Sequence, residues 1–222
     1  MKKAMNDENI HDVIRLLGKN LELWGMPIVS YLAEAQHDPF EILISTILSL
    51  RTKDEVTAVA TERLFSLART PAHMLELSEA SMIKAIYPVG FYRNKVRTIH
   101  YICKELLSRF DSTVPDSIDD LLMLKGVGRK TANLVVSLGY GKPGICVDTH
   151  VHRISNRLGY VSTKTPEKTE YALRAKLPLP YWSDYNTLMV AFGRQICRPI
   201  SPFCSRCPVS GYCERKNVDK SR

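Results

Sequence analysis

Hydrophobic positions recur at helical spacing along most of the chain. After Asp38-Pro39, apolar residues follow at Phe40, Ile42, Leu43, Ile47 and Leu48. Asp is a favoured N-cap and Pro suits the first helical position, so the run predicts a long, well-buried helix ending near Ser49 or Leu50. Further helices are expected over 54–67, 78–86 and 93–110, the last with Val96, Ile99, Ile102, Cys103 and Leu106 on one face. A short helix over 117–124, capped by Ser117, leads to an Ala/Leu/Val-rich one over 130–138. Helices over 149–158, 166–177 and 184–195 complete the set. β-Branched residues occur, but no period-two run of strand length recurs. The expected class is all-α with short loops. Residues 139–147 are less regular and mark a domain crossing. No internal repeat or low-complexity linker is present.

The 222 residues are 45% hydrophobic and 24% charged, which excludes a disordered chain and allows a substantial core. No stretch approaches the roughly 18 apolar residues of a membrane span. The start, MKKAMNDENIHDV, lacks an apolar core segment, so a signal peptide is not expected and a cytoplasmic location is.

Charge adds a partner class. The net charge is +8, and residues 193–222 hold seven basic side chains against two acidic ones. Two other stretches contain no acid: 80–104, with Lys84, Arg93, Lys95, Arg97 and Lys104, and 121–147, with Lys125, Arg129, Lys130 and Lys142. Basic groups clustered without acids are the footprint of a phosphate-tracking surface, or of a merely solvated face.

Candidate chemistry lies in the same regions. Cys197, Cys204, Cys207 and Cys213 are spaced C-x6-C-x2-C-x5-C, close enough in sequence to surround one metal centre. Disulfides are disfavoured in a reducing compartment. One close pair with long flanking gaps favours a [4Fe–4S] cluster, with zinc still open. Cys103 and Cys146 have apolar neighbours and read as buried thiols.

Leu124-Lys125-Gly126-Val127-Gly128-Arg129-Lys130 joins two helices through Gly-Val-Gly. Glycines two apart allow a tight turn and let backbone N–H groups approach an anion. This is the pattern of a helix-hairpin-helix, which grips nucleic-acid phosphate without reading sequence. Lys130 falls in the first turn of the second helix. An ordinary lysine is only about 0.04% neutral at pH 7. The helix N-terminus and Arg129 both disfavour the ammonium, so Lys130 is either a nucleophilic amine or one more phosphate contact. Asp148, in Val147-Asp148-Thr149-His150-Val151-His152, is either an N-cap or an active-site carboxylate. His150 and His152 are two apart on a helix and do not suit a shared metal.

Together these motifs resemble the endonuclease III family of DNA glycosylases. The residues that carry the resemblance are Asp38-Pro39-Phe40-Glu41 with Leu48-Ser49, and Gly90-Phe91-Tyr92-Arg93-Asn94-Lys95. After them come 124–133, 147–153, Phe192-Gly193-Arg194 and the four-cysteine array. They occur in family order across about residues 30–215. The resemblance implies two helical lobes with a DNA-binding groove between them. One would be a six-helix barrel over 33–142, with the hairpin at about 118–138. The other would be a cluster domain made of 1–32 plus 143–222, its four cysteines holding a [4Fe–4S] cluster.

The implied activity is bifunctional: oxidised pyrimidines are removed from double-stranded DNA and the abasic site is cleaved on its 3′ side by β-elimination. Lys130 would be the Schiff-base lysine and Asp148 the catalytic aspartate. Arg51 stands where the family has a gap-filling Gln, and Phe91 stands at its apolar wedge position. Lys125, in place of a common Pro, would join Arg93, Gly126, Val127, Gly128 and Arg129 in contacting DNA. The 197–204 loop carries one basic residue where the family often has several. A monomer is expected. The alternatives are a glycosylase for T or U opposite G, and a non-catalytic helix-hairpin-helix protein.

Overall fold

The computed structural model describes residues 5–30 and 38–222. Among these residues the regular structure is helical and no strand forms. The chain divides into two compact units, Ile28–Lys142 and Met1–Pro27 with Pro143–Arg222. The boundary expected at residues 32/33 lies outside the described residues.

In chain order the α-helices are α1 (Ile10–Gly18), α2 (Leu21–Trp24), α3 (Pro39–Ser49), α4 (Asp54–Leu67), α5 (Pro71–Glu76) and α6 (Glu79–Ile86). They continue with α7 (Tyr92–Arg109), α8 (Ile118–Met123), α9 (Arg129–Leu134), α10 (Thr149–Leu158), α11 (Pro166–Lys176) and α12 (Trp182–Gln195). The sequence reading leaves α1, α2 and α5 unassigned, although Ile10, Val13, Ile14 and Leu17 already recur at helical spacing. For α5 the signal was present: Thr70 accepts from the His73 N–H and Pro71 opens the helix, the same cap-and-proline device as at Asp38.

The Ile28–Lys142 unit is built around α3. The Asp38 carboxylate accepts from the N–H groups of Phe40 (2.7 Å) and Glu41 (3.3 Å). Every residue from Ile42 to Leu48 is buried, as a helix enclosed on all sides requires. It packs on α4, α7 and α9, while α5 and α6 pack on α7. The core includes Leu43, Leu64, Met74, Met82, Ile99, Leu106 and Leu124.

The helix expected over 130–138 is α only as far as Leu134 and continues as one π-turn, Val135–Gly139. The Ser137 hydroxyl donates back to the Asn133 carbonyl at 2.8 Å, competing with the backbone ladder in the way that widens a helix.

The other unit has its own core. Ile10, Val13, Ile14 and Leu17 form one stripe of α1, which packs on α12. Helix α10 packs on α11 and α12 around Ile154, Tyr160, Tyr185 and Phe192. Cys103 and Cys146 are both buried, and burial pushes the Cys103 thiol up to about 12. Among the described residues no helix is long and apolar enough to cross a membrane.

Candidate nucleic-acid interface and active site

The hairpin is held by its apolar residues. Ser117 caps α8 by accepting from the Asp120 N–H at 3.1 Å. Leu124 and Val127 are buried in the core, and the Val127 N–H donates to the Leu124 carbonyl at 2.9 Å. That leaves Lys125, Gly126 and Gly128 exposed on the turn, with Arg129 and Lys130 half-buried in the first turn of α9. Gly126 sits at φ +94°, and a Cβ there would lie 2.5 Å from the Thr98 methyl of α7. Both effects oppose any side chain. Gly126→Ala is therefore expected to destabilise the protein by about 1–3 kcal/mol, read as a lower urea midpoint at unchanged slope. A midpoint equal to that of the wild type would mean the turn relaxes freely.

Asp148 is the N-cap of α10. Its Oδ1 accepts from the N–H groups of His150 (2.8 Å) and Val151 (2.9 Å). Further along the same helix, two arginines hold the cysteine loop. Arg153 donates to the Cys197 carbonyl at 2.9 Å. Arg157, buried, donates to the carbonyls of Arg198 and Pro199, each at 2.6 Å. The helix that begins at Asp148 is thus also the platform for the cysteine array. His150 contacts Arg153 and His152 contacts Thr169, so the two imidazoles serve different partners.

The four thiols line one cavity whose walls include Leu158, Phe192, Ile196 and Val218. Burial pushes the Cys207 thiol up to about 12 and raises Cys213 as well. Thiols in such a place ionise only when a bound cation compensates. Arg157 Nη1 reaches Cys197 Sγ at 3.6 Å, and the Arg215 N–H donates to Cys213 Sγ at 3.3 Å. Among the described residues, no three His, Cys, Asp or Glu side chains converge as a group able to hold a metal ion.

Arg51 and Phe91 are both exposed, and the guanidinium carbon stands 5.6 Å from the ring centroid. Both take left-handed backbone conformations, φ 55° and 58°, each costing about 1–2 kcal/mol for a residue with a Cβ. Phe91 is 60% exposed, so burial does not repay that cost.

Residues 44–179 match the HhH-GPD superfamily base excision DNA repair protein family. Endonuclease III of Thermotoga maritima is 49% identical over 177 residues, which cover 80% of this chain and 83% of that protein. The chain belongs to the endonuclease III family. Endonuclease III-like protein 1 of Mus musculus is 43% identical, over 78% of this chain and 59% of its own length. The chain thus spans less than two thirds of that mammalian relative. Among solved structures, a non-covalent endonuclease III–DNA complex is 34% identical with a TM-score of 0.84, covering 95% of this chain and 96% of that one. A thermostable thymine-DNA glycosylase, at 23% identity and a TM-score of 0.76, shares the fold. As a member of the endonuclease III family, the protein is a base excision repair enzyme, a DNA glycosylase/AP lyase.

Within that family frame the basic runs sort themselves. Lys125 and Arg93 are exposed. Lys142 pairs with Asp116 at 2.6 Å, and Arg97 lies 4.0 Å from Glu79. Lys95 does not belong to the expected phosphate-tracking surface. It is only 6% exposed, because its stem packs into the core and its amine turns to backbone carbonyls. The cysteine loop is more basic in space than in sequence. Arg198, Arg206 and Arg222 surround the Phe203 ring at 5.1, 4.6 and 4.2 Å. Arg222 is brought there by backbone bonds to Pro202 and Ser205, which no count of residues between two cysteines could reveal.

Proposed function

We propose that this endonuclease III family enzyme removes oxidised pyrimidines from double-stranded DNA with Lys130 as nucleophile, then cuts the strand at the abasic site. The observation that carries the reading is the placement of Lys130. It is the half-buried amine in the first turn of α9, directly behind an exposed Lys125-Gly126 turn that suits phosphate.

The damaged nucleotide is flipped out of the stack, with Arg51 and Phe91 filling the space it leaves. Neutral Lys130 Nζ attacks the sugar C1′, and the bond from C1′ to the base breaks, the base leaving with the electron pair and taking up a proton. Loss of the amine protons and ring opening give a Schiff base. Removal of a C2′ proton then expels the 3′ phosphate by β-elimination, and water releases Lys130. Asp148 stabilises positive charge developing on the sugar and assists proton transfer. Lys125, Arg93, Arg129 and the Gly126-Val127-Gly128 backbone hold phosphates. A four-cysteine metal site suits a reducing, cytoplasmic setting, and the reading takes the enzyme as a monomer.

Lining one cavity, Cys197, Cys204, Cys207 and Cys213 would hold a [4Fe–4S] cluster. A single zinc with Zn–S bonds of about 2.3 Å draws its sulfurs to about 3.8 Å of one another, whereas a cube takes one thiolate at each of four separated corners. When bound, the cluster supplies a rigid cross-link beneath the loop carrying Arg198 and Arg206. Cys204→Ser is expected to lose the brown chromophore and stoichiometric iron, and to lower the thermal midpoint. Stoichiometric zinc without iron in the wild type would overturn the assignment.

A panel of lesion duplexes tests the substrate. Release of oxidised pyrimidines ahead of T or U opposite G is expected. The reverse order would favour the mismatch reading, for which exposed Arg51 supplies a guanine-reading donor pair.

A further inference from the structure

Lys95 is a buried lysine that the reaction above leaves without a role. Its amine donates to the Leu48 carbonyl at 2.9 Å, the Leu50 carbonyl at 2.6 Å and the Thr52 hydroxyl at 3.1 Å. These acceptors lie on both sides of Arg51. Two of them are the C-terminal carbonyls of α3, where a cation is favoured. The Thr52 hydroxyl also accepts from the Gly90 N–H at 3.2 Å, one residue before Phe91. Gly90 is itself in backbone contact with Arg51, since a Cβ there would lie 2.6 Å from the Arg51 carbonyl oxygen. Lys95 therefore sits beneath two left-handed residues, Arg51 and Phe91, whose exposed side chains stack on each other. Burial pushes its pKa down to about 8, which still leaves the amine mostly protonated near pH 7 and able to donate to the three acceptors.

We propose that Lys95 is a positioning residue that holds Arg51 and Phe91 together as one insertion unit for the space left by a flipped nucleotide. The proposal rests on the lesion-flipping reading given above. Both side chains are exposed, and the backbone bearing each is tied down by Lys95 and Thr52. An insertion element must be rigid before it meets DNA, because ordering it on binding reduces the affinity gained. The stack also means that Arg51 and Phe91 enter together or not at all.

The test uses a duplex with a stable abasic-site analogue and 2-aminopurine opposite it, whose fluorescence rises when its stacking is disturbed. Wild type is expected to give a rise. Lys95→Met, which keeps the length and removes the donors, is expected to lose most of that rise, because the backbone on both sides of Arg51 is then no longer held. Binding measured by anisotropy is expected to fall much less. Equal losses of fluorescence and anisotropy would reduce Lys95 to a general stabiliser and overturn the proposal.

Should Lys95→Met not fold, a cycle of Arg51→Ala and Phe91→Ala decides, since both residues are exposed. The double variant is expected to be no worse than the poorer single one, and additive losses would refute a single unit. If wild type traps covalently on an abasic site yet gives no rise, the insertion unit fails and the lyase reading stands. If it does neither, both fall.

Discussion

Borohydride is expected to link the wild-type protein to an abasic-site duplex, and Lys130→Ala is expected to form no adduct. Reduction captures only a Schiff base between an amine and the sugar C1′, so the readout reports the nucleophile itself. Strand cleavage by Lys130→Ala should fall by more than about 10³-fold, as when the nucleophile of a working unit is removed. DNA affinity should fall less than about tenfold, since one phosphate-side cation is removed from several.

Lys125 makes the experiment decisive. It is an exposed amine on the same turn. Lys125→Ala is expected to keep the adduct and to flatten the salt dependence of binding. Trapping that survives in Lys130→Ala would move the nucleophile to Lys125 or another amine. Absence of trapping in the wild type would remove the lysine mechanism.

The second large effect separates two roles of one carboxylate. Asp148 caps α10 through Oδ1, accepting from His150 and Val151. Asn caps a helix as well as Asp does but carries no charge. Asp148→Asn is therefore expected to keep the wild-type thermal midpoint and to lower base release about 10²–10³-fold, the range for losing one preorganised electrostatic group. Asp148→Ala should show the same loss of activity and also lose the cap. That costs about 1 kcal/mol, or about 2–4 °C for a chain of this size. Full activity in Asp148→Asn would leave Asp148 as a cap alone.

The helical class was readable from spacing because a helix buries residues at a fixed period. Val96, Ile99, Ile102, Cys103 and Leu106 lie on one face in sequence and are buried together in α7. The caps at Asp38 and Ser117 were equally local, and each side chain accepts the expected N–H. Length set the limit. Helix α2, of four residues, is too short to show a period. The π-turn after α9 depends on which backbone carbonyls Ser137 selects, and residue type alone does not settle that choice.

The chemistry divides in the same way. The Gly-Val-Gly hairpin with its lysine, the four-cysteine spacing and the lone Asp148 were visible as motifs, because each is a local pattern whose chemistry needs those residue types at those spacings. Charge was visible only as a sum over runs, and a run does not show which way a side chain turns. Lys95 counted with Arg93 and Arg97 in sequence, yet its amine satisfies three acceptors from 48–52 inside the fold. Arg206 and Arg222 counted as tail charge, yet they join Arg198 around Phe203.

By itself, then, the sequence determined most of the helices and the hairpin, which follow from local periodicity and turn stereochemistry, and its motifs carried the resemblance to the family. Only the tertiary structure decided that the Lys95 amine bonds to residues on both sides of Arg51, that α10 joins Asp148 to the cysteine loop, and that three arginines share one ring. Those outcomes depend on which distant carbonyls, thiols and rings meet a long side chain, and packing alone determines that.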